Sequence, residues 1–89
     1  MRKQISSIQD LLVHIGNGDI AAYEELYYAF YSRLYSFALS LIKSKQQAEE
    51  IVSDVFIKVW QSRERLAEVD NLSVYLYTSV RNRTIDYLN

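Results

Sequence analysis

The chain has 89 residues, 49% of them hydrophobic, with a formal net charge of −1 and no cysteine or proline. That length fits one compact domain, near the lower limit at which packing alone holds a core. The lack of cysteine excludes disulfides and thiolate metal sites and makes a reducing cytoplasm the easiest compartment. No window approaches the roughly 18 continuous apolar residues of a membrane span, and "MRKQISSIQDLL" has no apolar run of signal-peptide length, so no membrane insertion is expected. A generic DNA-coating protein is disfavoured, because such binding draws on many phosphate contacts and a basic surface.

Both glycines sit in "GNGD", so little after Asp19 interrupts regular structure. In "SSIQDLLVHIGNGD", Ile8, Leu11, Leu12 and Ile15 follow helical spacing, with Ser6 or Ser7 as N-cap and Gly16-Asn17-Gly18 as the stop. Asp19 can then cap a second helix, placed from Ile20 to about Lys43. Its stripe comprises Ile20, Tyr23, Leu26, Tyr27, Phe30, Leu34, Phe37, Ala38, Leu41 and Ile42. His14 lies among apolar neighbours with no second metal-ligand candidate at useful spacing, and reads as a packed or surface histidine.

Ser44 and Gln47 have the spacing of a capping box and open the third helix, where Glu49 and Glu50 meet the positive end of the helix dipole. Ala48, Ile51, Val52, Val55, Phe56, Val59 and Trp60 form its buried stripe. The opposite side holds Glu50, Ser53, Asp54, Ile57, Lys58 and Gln61. Ile57 is the anomaly on that polar face. A lone exposed isoleucine is ordinary on a protein surface, and a centre for docking a partner helix is the sharper reading.

"RERLAEVDN" reads as a connection, with Asp70 or Asn71 capping a fourth helix from Leu72 to about Leu88. Leu72, Leu76, Val80, Thr84, Tyr87 and Leu88 gather on one face as packing residues. Tyr75, Ser79, Arg81, Asn82 and Asp86 fall largely outside it, and Asn82 and Asp86, four apart, are close enough to touch. Residues 71–89 carry Arg81 and Arg83 against Asp86, a local excess of one positive charge. Four helices with short connections predict an all-α fold, a compact four-helix bundle.

Chemistry of the catalytic kind finds little support. There is no cysteine, only one histidine, and the adjacent pairs Glu24-Glu25 and Glu49-Glu50 diverge on a helix and cannot easily share a metal. Neither a Glu-x-x-His spacing nor a glycine-rich phosphate loop is present. The expectation is a non-enzyme without metal or cofactor, and binding remains. A nucleic-acid-binding transcription module and a helical adaptor using the Ile57 face both stay open. What discriminates them is whether the fourth helix and the loop before it offer bases something to stack on and bond to. Asn82 donates and accepts, Arg81 and Arg83 can meet phosphates, and Leu66, Val69 and Tyr75 could wall a pocket for an extruded base.

The run "AEEIVSDVFIKVWQSRERL", followed by "NLSVYLYTSVRNRTIDYL", resembles region 2 of the extracytoplasmic-function sigma factors, promoter-specificity subunits of bacterial RNA polymerase. "GDIAAYEELYYAFYSRLYSFALSLI" is similar to that family's opening as well. The likeness covers residues 11–88. It implies that the third helix docks on the clamp helices, a coiled coil of the polymerase β′ subunit, through Glu50, Ser53, Asp54, Ile57, Lys58 and Gln61. An apolar centre inside a polar rim suits such a patch.

The resemblance also implies recognition of the promoter's minus-ten element on the non-template single strand. The loop residues Arg65, Leu66, Ala67, Glu68, Val69, Asp70 and Asn71 would hold a flipped base. Tyr75, Thr78, Arg81, Asn82 and Asp86 would supply helix contacts. The acidic Glu68 and Asp70 cost affinity unless they accept from base amino groups or cap the helix. One domain spans the chain, with an ordered helical core over residues 5–88. A second, helix-turn-helix domain is expected beyond Asn89; the chain is then either a piece of a longer sigma factor, the favoured reading, or a free-standing region 2. An anti-sigma protein is an implied further partner. The alternative remains a helical adaptor domain without nucleic-acid binding.

Overall fold

The computed structural model describes residues 7–89, and among them the fold is all-α. Helix α1 spans Ile8–Gly16, α2 Ile20–Ile42, α3 Lys45–Gln61 and α4 Leu72–Leu88. A 3-10 segment, η1, spans Arg63–Glu68 between α3 and α4.

Each α-helix begins on a side-chain acceptor that satisfies one of the amides a helix start leaves unpaired. Ser7 accepts from the Asp10 amide, Asp19 from that of Ala22, Ser44 from that of Gln47 and Asn71 from that of Val74, at 3.1, 3.1, 3.3 and 3.1 Å. The cap of α4 is thus Asn71 and not Asp70. Ser7 caps α1; Ser6, and the expected start of order at residue 5, lie outside the described residues. Gly18 turns between α1 and α2 at φ 88°, a left-handed angle that glycine adopts without strain. Lys43 ends α2 in the same region at φ 61°.

Helix α2 packs against both α3 and α4, while α1 packs on η1 and α2. Ala22, Leu26, Phe30, Leu34 and Ala38 are buried at four-residue intervals along α2, a row that matches one ridge of the helix. Ala48, Ile51, Val52, Val55, Phe56 and Val59 bury one side of α3, and Leu72, Leu76, Val80 and Thr84 bury one side of α4. Burial of each large apolar side chain contributes about 1.5–3 kcal/mol against the entropy of ordering the chain.

Beside the buried row, Tyr23, Tyr27, Tyr31 and Tyr35 form a half-buried ladder packed against the core. Tyr23 leans on Trp60 and Tyr27 on Phe56, with ring centroids 4.9 and 4.8 Å apart. The Tyr23 hydroxyl donates to the Phe56 carbonyl at 2.6 Å, so this phenol binds α2 to α3 by its ring and by its tip. Burial, with Tyr27 beside it, raises the Tyr23 phenol above its ordinary 10.0. Burial likewise raises Tyr31, helped by Tyr27, Glu49 and Tyr35.

Several expectations from the helical period are corrected. The segment read as a plain connection contains η1, whose Leu66 is buried in the core. Ile8, Ile20 and Leu41 lie on their predicted apolar stripes yet are exposed, because a helix end extends past the neighbour that would cover it. Leu88, expected to pack, is 65% exposed in the last turn of α4. Tyr75, expected outside the packing face, is half-buried against the core. His14 is partly buried, its Nδ1 3.6 Å from Asp19 Oδ2.

The two sides of α3 should respond oppositely to truncation. Ile51→Ala is expected to cost about 2–5 kcal/mol in urea denaturation, whereas Ile57→Ala stays within about 0.5 kcal/mol. Alkaline pH should also lower the stability of the chain. The native state holds the Tyr23 and Tyr31 protons more tightly than the unfolded chain does, so their contribution is intact below pH 10.0 and is lost as pH rises beyond it. Urea midpoints measured from pH 8 to 11 should fall on the alkaline side.

Candidate docking and nucleic-acid interfaces

Because the buried stripe of α3 faces α2 and α4, its remaining face must point outward. Ile57 lies opposite that stripe and is 54% exposed. Glu50, Ser53, Lys58 and Gln61 are also exposed, and Asp54 is half-exposed.

These six residues divide between two flanks. On one flank, Ile57 and Gln61 line a shallow apolar hollow of about 410 Å³ together with Ile20, Tyr23 and Trp60. Ile20, 63% exposed at the start of α2, therefore enlarges the apolar patch around Ile57. The guanidinium of Arg63 lies 4.4 Å from the Trp60 ring centroid and donates to the Trp60 carbonyl at 3.0 Å.

On the other flank, α3 carboxylates are engaged by α4. Arg83 donates to Asp54 Oδ2 through Nε at 3.0 Å and Nη2 at 2.8 Å. The Tyr87 hydroxyl donates to Glu50 at 2.7 Å. This bond raises the Tyr87 phenol, since ionisation would set a phenolate against the Glu50 carboxylate. The Arg83 guanidinium also stands over the Tyr87 ring, 5.7 Å from its centroid. Arg83, expected to be available to phosphate, is held by Asp54 instead. Pairs 29 and 37 residues apart leave no mark in local spacing, which is why these contacts escape a reading of the sequence.

The nucleic-acid set divides similarly. Thr78, Arg81, Asn82 and Asp86 are exposed along α4, and no hydrogen bond joins Asn82 to Asp86. Arg65, Ala67, Glu68, Asp70 and Asn71 are exposed, Val69 and Tyr75 half-buried, and Leu66 buried. A depression of about 390 Å³ lies between η1, α3 and α4, lined by Arg65, Leu66, Glu68, Val69 and Tyr75, with Lys58 and Ser62 on its α3 side. Leu66, with 1% exposure, belongs to its floor rather than its rim.

A second hollow of about 180 Å³ continues along the α3–α4 groove, lined among others by Asp54, Lys58, Ser79, Asn82, Arg83 and Asp86. Lys58 and Tyr75 border both hollows. The groove thus gathers hydrogen-bonding groups of both polarities beside an apolar wall, an arrangement able to bond base edges and to stack on a ring. Ser62 and Lys58 join the depression without having been expected there, because η1 turns back toward the end of α3.

Among the described residues, no group of three or more histidine, aspartate or glutamate side chains is placed to hold a metal ion. Among the described residues, no helix is long and apolar enough to cross a membrane. The family model described as Sigma-70 region 2 matches residues 26–89. No curated protein and no solved structure gives a significant match.

A double-mutant cycle on Asp54→Ala and Arg83→Ala should yield a coupling of about 0.5–1 kcal/mol at low salt, shrinking as salt is added, as befits a pair with side chains 41% and 38% exposed.

Proposed function

The chain belongs to the Sigma-70 region 2 family, and on that premise we propose that it is the promoter-recognition domain of an extracytoplasmic-function type sigma factor. It docks on the β′ clamp helices of RNA polymerase, reads the minus-ten element as single-stranded DNA in transcription initiation, and has no catalytic activity of its own. The observation that carries the reading is the depression between η1 and α4, with an apolar wall and basic groups on its border.

Extruding a base costs a few kcal/mol of stacking and pairing, and a pocket must offset that cost. Val69 and the Tyr75 ring offer the base apolar contact, while Glu68 accepts from an exocyclic amine and Arg65 or Lys58 meets carbonyl or phosphate oxygens. Farther along α4, Asn82 bonds a base edge and Arg81 a phosphate; Ala67, Asp70, Asn71, Thr78 and Asp86 border the path of the strand. Asp70 lies near the strand with no cap to make, so it opposes binding unless it accepts from a base.

The polymerase face centres on Ile57, extended by Ile20 and Trp60 and rimmed by Glu50, Ser53, Asp54, Lys58 and Gln61. An apolar centre with a polar rim supports docking of a helical partner, since desolvation is concentrated where water is excluded. An anti-sigma protein is a further partner in this proposal, and the cytoplasm is the compartment where polymerase and promoter meet.

Fluorescence anisotropy with single-stranded oligonucleotides of varied minus-ten sequence should show a preference that Asn82→Ala weakens by about 1–3 kcal/mol. Equal binding to every sequence would remove the promoter-reading role and favour the adaptor alternative. Ile57→Glu should abolish binding to isolated clamp helices while leaving the helical circular-dichroism signal unchanged; unaltered binding would move the docking face elsewhere.

A further inference from the structure

Helix α1 lies upstream of the residues that match the family model, which begin at residue 26. Its packing is directed at η1 more than at any α-helix. The two elements meet near both ends of α1. Near its start, the Gln9 side-chain amide donates to the Ala67 carbonyl at 2.7 Å, across 58 residues of sequence. At its end, a Cβ on Gly16 would stand 3.1 Å from the Arg63 carbonyl, so the backbone of η1 passes tightly against the last turn of α1. Between them Leu12, Ile15 and Leu66 are buried in the common core.

A 3-10 segment of six residues has little stability of its own. Its hydrogen bonds are poorly aligned, and its last carbonyls have no partner within the segment. At its two boundaries the Arg65 amide donates to the Ser62 carbonyl at 2.9 Å and the Val69 amide to the Leu66 carbonyl at 3.0 Å. Gln9 satisfies the Ala67 carbonyl, which sits between two residues bordering the depression, Leu66 and Glu68.

We infer that α1 is a brace that preorganises the base-holding turn, with Gln9 as a positioning residue acting through the Ala67 carbonyl. The inference rests on the proposed role of η1 in holding an extruded base. A turn that is already ordered loses less freedom when a base enters, and that saving goes only to the base that uses the pocket. An unbraced turn adopts the competent shape for a fraction of the time, and affinity for the matched base falls by that fraction. Bases that do not enter the pocket are unaffected. Gln9 therefore sets the ratio between matched and mismatched binding without touching DNA.

Gln9 is exposed, so Gln9→Ala should still fold, with a thermal midpoint lowered by no more than about 4–8 °C and an unchanged affinity for the clamp helices. The experiment measures oligonucleotide affinity with each of the four bases at the extruded position, for the wild type, Gln9→Ala and Gln9→Lys. In Gln9→Ala the ratio of best to worst base should fall roughly three- to tenfold, the worth of one hydrogen bond. Gln9→Lys keeps a donor and should retain the ratio, even though its charge raises every affinity together. Hydrogen exchange over residues 63–69 should quicken in Gln9→Ala alone, with α3 and α4 unchanged.

A wild-type ratio that persists in Gln9→Ala overturns the positioning role. A wild type that binds all four bases equally defeats the reading of η1 as a base pocket and the brace with it, a result distinguished from the first by the wild-type measurement itself.

Discussion

The complete burial of one side of α3 is the constraint on which the rest of the domain depends. Ala48, Ile51, Val52, Val55, Phe56 and Val59 leave almost nothing to solvent, so α3 has no rotational freedom about its own axis. Ile57 then points away from the core, with Asp54 turned toward α4 and Trp60 toward α2. Any interface on this helix is thereby rigid before a partner arrives. The Tyr23 hydroxyl on the Phe56 carbonyl fixes the same helix along its length as well, since a slide would break that bond.

From that fixed helix two surfaces diverge. The apolar hollow around Ile57 opens on the α2 side, and the polar groove opens on the α4 side. They share α3 but open on opposite flanks of it. On the α4 flank Glu50 and Asp54 are both bonded to α4. These partly exposed contacts add little stability, yet they hold the Arg83 and Tyr87 side chains toward α3. Arg81 and Asn82 are left exposed.

The loop before α4 carries the most demanding geometry on the least regular backbone. A six-residue 3-10 segment does not order itself, and its shape comes from Leu66 inserted in the core and from α1 laid along it. Residues 58 positions apart, Gln9 and Ala67, thus cooperate in one feature. The depression forms where η1 meets Tyr75 of α4 and Lys58 of α3, so three elements must dock before it exists.

The primary structure by itself determined the four α-helices, the caps of the second and third, and most of the buried side of each, because these follow from short-range spacing and from acceptors next to the first turn. Asp19, Ser44 and the Ile51–Val55–Val59 row could be read directly, as could the isolation of Ile57. Spacing could not say which residue at a helix end would be covered, and Ile20 and Leu88 show the consequence: a stripe continues by period, but the neighbour that buries it does not. Nor could it reveal the clasp of Arg83 on Asp54, the hydrogen bond from Gln9 to Ala67, or that from Tyr87 to Glu50. Those contacts join residues far apart in the chain, and only the docking of whole helices brings such groups within bonding distance.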